Sequence, residues 1–71
     1  MWIISPDRSA MINSKEISII KKEQGSPFNN KPVITFIHNS GISQIMSFDD
    51  EQSRESFVDS IITGLEQEAQ K

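Results

Sequence analysis

His38 is the only histidine in this 71-residue chain, and there is no cysteine, so any zinc site or acid–base centre would have to be built around it. Such a centre needs a second group converging on the ring with defined geometry. No carboxylate stands at a spacing that brings one there, and His38 reads as a strand-end residue beside a turn. Asp49-Asp50-Glu51 gathers three carboxylates, enough to attract a hard cation. An EF-hand loop, however, takes its oxygen ligands at alternating positions around a central glycine and closes on a glutamate, a pattern absent here. At the start of an amphipathic run, the same residues cap a helix instead. Eleven serines offer hydroxyls, but none sits in Gly-x-Ser-x-Gly and only one histidine is available as a base. Gly25, Gly41 and Gly64 are isolated, so no glycine-rich phosphate loop is present. The sequence therefore predicts no catalytic residue, no metal site and no cofactor, and no small-molecule ligand is indicated.

Charge narrows the partners. A net charge of -3 leaves no positive excess for a phosphate backbone or an anionic membrane. Lys15, Lys21, Lys22 and Lys31 bias the first half toward positive, but four scattered lysines without an aromatic platform make a poor nucleic-acid footprint. Lysines on an edge strand instead discourage pairing between sheets. No run approaches the roughly 18–20 apolar residues needed to cross a bilayer, and Met1-Trp2-Ile3-Ile4 is too short for a signal-peptide core. A cytoplasmic location is the expectation, and the absence of cysteine fits a reducing compartment.

The elements that hold these residues follow from an uneven apolar usage. Twelve isoleucines and four phenylalanines stand against one leucine and two valines, and β-branched and aromatic side chains favour sheets. Trp2 to Ser5 reads as a strand closed by Pro6-Asp7. Ala10 to Ile12 extends that strand or forms a second one. Glu16 to Lys22 is a half-buried strand in which Ile17 and Ile19 alternate with polar neighbours and Ile20 breaks the period. Glu23 to Pro32 is a loop carrying Gly25, Pro27 and Phe28. Two strands, Pro32 to His38 and Ile42 to Phe48, flank Asn39-Ser40-Gly41 as a hairpin whose glycine takes the left-handed position. Phe57, Val58, Ile61, Ile62 and Leu65 form one stripe at helical period, and Gly64 ends the helix or merely weakens it.

The order predicts an α+β fold: an antiparallel sheet of 3-5 strands, flat or curled into a half-barrel, with one C-terminal amphipathic helix packed on it. Residues 1-65 form a single β-meander plus helix domain, and 66-71 a polar tail. A chain of this size supports one core, worth roughly 3–5 kcal/mol, and without disulfides it gains most from association. The strand from Val33 to Ile37 is apolar on both faces, with Val33 and Ile37 pointing one way and Ile34 and Phe36 the other. One helix covers one face, so either the sheet curls or its second face meets another subunit.

The opening Met1-Trp2-Ile3-Ile4-Ser5-Pro6-Asp7, together with Phe48-Asp49-Asp50-Glu51 and a helix carrying Phe57, Val58, Asp59 and Ile61, resembles a set of uncharacterised small proteins. These belong to low-GC Gram-positive bacteria and their phages, and they open with Met-Trp-Ile-x-Ser-x-Asp. The resemblance covers about half the chain and implies a few strands and an aromatic-polar turn into a helix. It implies no activity and no catalytic residues. The chain departs from the pattern by placing Arg54 where the early helix is usually apolar.

The functional expectation is a small non-enzymatic interaction module that self-associates through a sheet face or edge, with Trp2, Ile34 and Phe36 as candidate contacts. The alternative is a regulatory binder encoded on a mobile element, acting on nucleic acid through Lys21-Lys22 and the 23–32 loop, or on a larger protein.

Overall fold

The computed structural model describes residues 1–25 and 29–69. Ser26, Pro27 and Phe28 of the expected loop, and Gln70 and Lys71 of the expected tail, lie outside the described residues. Five strands and one helix appear in the order β1 (Trp2–Ile4), β2 (Met11–Asn13), β3 (Ile17–Glu23), β4 (Val33–His38), β5 (Ser43–Ser47) and α1 (Glu51–Ala69). The fold is α+β, as expected, but the strands divide into two antiparallel sheets instead of one. β1 pairs only with β2, and β3-β4-β5 form an open three-stranded sheet that does not curl into a half-barrel.

Each turn has a local cause. Between β1 and β2, Ser5, Asp7 and Ser9 knit the chain to itself. The Ser5 hydroxyl donates to Asp7 Oδ1 at 2.8 Å, the Ser9 amide and hydroxyl donate to the same oxygen at 3.0 and 2.7 Å, and the Ala10 amide donates to Ser5 Oγ. These bonds hold Arg8 at a φ of 61°, which costs a residue with a Cβ some free energy. In the hairpin between β4 and β5, Gly41 has a φ of 93°, the left-handed position read from the sequence. At the helix start, Asp50 accepts from the Ser53 amide at 2.7 Å, satisfying one of the unpaired donors of the first turn.

Strand β3 carries an irregularity that resolves the odd spacing of its isoleucines. The register with β4 shifts between Ile17 and Ile19, so Ile17 opposes His38 while Ile19 opposes Ile37. A bulge inserts an extra residue and swaps the faces that follow it. Ile17 and Ile20 therefore both pack against the core, and Ile19 points outward, where simple alternation had placed Ile17 and Ile19 together.

The core lies on one face of the larger sheet. Ile34, Phe36 and Met46 from that face meet Ile61 and Phe48, with Phe57 and Val58 of α1 against them. The two-stranded ribbon contributes Ile3 and Ile12, so the sheet is covered by a helix and a ribbon side by side. Phe48 and Phe57 stack at a tilt of 52° with centroids 5.3 Å apart, joining the end of β5 to the helix. The helix passes through Gly64 and runs to Ala69, so residues 66–69 are helical and not part of a tail. A Cβ at Gly64 would sit 2.5 Å from Cε of Met1, the free end of a flexible side chain that would have to shift to admit it. No helix among the described residues is long and apolar enough to cross a membrane.

Candidate functional site

The three residues expected to carry a contact are separated by the fold. Ile34 and Phe36 are 0% exposed and belong to the core beneath the helix and ribbon, so neither offers a surface. Trp2 is 62% exposed on the outward side of the ribbon, where Ile4 and Met11, paired across the two strands, are exposed as well. Ile3 and Ile12, one step along each strand, point inward.

On the outer face of the larger sheet stand Ile19, Lys21 and Glu23 of β3, Val33, Thr35 and Ile37 of β4, and Ser43, Ile45 and Ser47 of β5. Val33 and Thr35 are buried, and the Thr35 hydroxyl donates to Glu23 Oε1 at 2.7 Å. The exposed apolar side chains on this face sit at its flanks, Ile19 on one side and Ile45 on the other.

The two edges of the sheet differ. The β3 edge carries Lys21 and Lys22 and the bulge, and Lys22 Nζ lies 3.1 Å from both carboxylate oxygens of Glu55 on the helix. Charge and irregularity are the usual means of blunting an edge. The β5 edge reads Ser43-Gln44-Ile45-Met46-Ser47, with no charge, no proline and a regular register against β4. The His38 amide donates to the Ile42 carbonyl at 2.8 Å and the Phe48 amide to the Pro32 carbonyl at 2.9 Å. In an antiparallel ladder the bonding direction alternates, so Ile42, Gln44, Met46 and Phe48 face β4. The N–H and C=O groups of Ser43, Ile45 and Ser47 consequently point away from the sheet.

This open edge borders a cleft of about 780 Å³. Ile45, Met46, Phe48 and Phe57 are among its apolar lining, residues of the Ser5–Ala10 turn line it too, and Asp7 and Ser56 are among its polar groups. Asp7 has its pKa lowered to about 2, first by the Ser9 hydroxyl, then by the Ser9 amide and the Ser5 hydroxyl. Its carboxylate is committed to holding the turn. Asp50 is likewise lowered, chiefly by the Ser53 amide and then by the Ser53 hydroxyl.

Among the described residues, the side chains that could do chemistry have structural partners. His38 Nε2 hydrogen-bonds Gln44 Oε1 across the hairpin, with the tautomer set by that partner. Ser18-Ile19-Ile20-Lys21 has the Ser-x-x-Lys spacing of some acyl-transfer enzymes, a match visible in the sequence. On a strand, residues three apart are separated by about 10 Å, and the Ser18 hydroxyl instead donates to Asn39 Oδ1 at 3.0 Å. Among the described residues no cluster of three or more His, Asp or Glu could hold a metal ion.

Arg54 is the other departure from simple patterning. It is 8% exposed and lies on the buried stripe with Phe57, Val58 and Ile61. Its Nη1 donates to the Glu23 carbonyl at 2.9 Å and its Nη2 lies 3.6 Å from Glu55 Oε1. The guanidinium thus ties the helix to the end of β3.

The chain matches no protein-family profile, no curated protein and no solved structure.

Proposed function

We propose that the chain is a small non-enzymatic interaction module that self-associates through its three-stranded sheet. One observation carries this reading: an uncharged, regular edge strand with outward-pointing backbone groups, next to exposed isoleucines, in a sheet whose other edge is charged and bulged. Unpaired edge groups are a template for another strand, and soluble proteins normally blunt them. The size of the chain supplies the motive, since one small core contributes roughly 3–5 kcal/mol and association adds stability by mass action. The nucleic-acid alternative is weakened, because Lys22, one of the two lysines it relies on, is paired with Glu55.

Light scattering at micromolar concentration tests the proposal. A dimer of about 16 kDa, twice the 8.0 kDa of one chain, is the expected mass. A monomer throughout the micromolar range contradicts self-association.

A further inference from the structure

We infer that two copies of the chain join strand to strand through β5, antiparallel about a two-fold axis at Ile45, so that two three-stranded sheets become one of six strands. This pairing rests on the self-association proposed above and names its surface.

The β5 sequence is complementary to itself. With Ile45 on the axis, Ser43 faces Ser47 of the second copy, Gln44 faces Met46, and Ile45 faces Ile45. Ser43, Ile45 and Ser47 have their N–H and C=O groups directed outward, so each outward donor meets an outward acceptor. Such an isologous contact closes on itself and gives a dimer, not a fibre. Shifting the axis by one residue leaves an end of the five-residue strand unpaired.

Charge selects the same edge. Each copy carries a net -3, so a strip free of charge is where two copies approach at least cost. Pairing two β3 strands about an axis at Lys21 or Lys22 would set that lysine against its own copy, and like charges across strands are destabilising. Exposed apolar side chains agree. Ile45 is 52% exposed and meets its own copy on the outer face, while Ile42, 65% exposed, stands opposite Phe48 of the second copy at the mouth of the cleft.

The test uses Ile45→Lys and Ile45→Glu in the full chain, with folding confirmed by circular dichroism because residue 45 lies at the surface. Each variant alone places two like charges on the axis, and its dimer dissociation constant is expected to rise at least about tenfold. Mixed in equal amounts, the two variants place Lys against Glu and recover a dimer. Unchanged dimers of both single variants would overturn the edge pairing while leaving self-association intact. Two monomeric variants that fail to combine would overturn the axis at Ile45. A monomeric native chain would overturn the underlying reading itself.

Discussion

Asp7 shows how a motif that looks available for chemistry is consumed by structure. Ser5, Asp7 and Ser9 form a closed set of hydrogen bonds that fixes a turn and keeps Arg8 in the left-handed region. The opening segment of the chain thus has a local structural task. Since the folded carboxylate titrates near 2 against an ordinary 3.8, its stabilisation is complete above about pH 4 and is lost as pH falls toward 2. Asp7→Asn is expected to lower stability at pH 7 and to flatten the acid limb between pH 4 and 2, read from urea midpoints across that range. An unchanged acid limb in the variant would show that Asp7 does not stabilise the turn.

At the scale of elements, the hairpin, its glycine and the capped helix were legible, because each is set by neighbours in sequence, whereas the apolar stripe was legible only in part: Phe57, Val58 and Ile61 pack on the core, but Ile62 and Leu65 are exposed. Which face of β4 is covered was not. Alternation showed two apolar faces, but the choice between Ile34 with Phe36 and Val33 with Ile37 depends on strands elsewhere in the chain. The polar residues Lys21, Ser43 and Ser47 share the second face and would have marked it as the wetter one once the register was known. The division into two sheets was equally hidden, since nothing in Trp2 to Asn13 states that this ribbon pairs only with itself. The placing of Arg54 was hidden for a related reason: a charge on a buried stripe is tolerable only where a distant acceptor, here the Glu23 carbonyl, meets it. Arg54→Ala removes that donor from a part-buried carbonyl and takes out a buried side chain, and should cost about 1–2 kcal/mol in urea unfolding. A change near zero would show that the clamp between helix and β3 contributes nothing.

At the scale of the whole molecule, the small core and the edge of β5 belong together. The sheet is covered on one face by a helix and a ribbon, and in the proposed dimer its unguarded strand would add stability by pairing. Neither Ile34 nor Phe36 takes part directly, since both hold up the core from which β5 projects. Amide hydrogen exchange followed by NMR at high and low protein concentration reads this claim bond by bond. The amides of Ser43, Ile45 and Ser47 should be protected at high concentration and exchange fast on dilution, while those of Gln44 and Met46, bonded to β4, stay protected in both. Fast exchange at Ser43, Ile45 and Ser47 in a concentrated sample, or concentration-dependent protection appearing instead at Ile20 and Lys22 on the β3 edge, would contradict it.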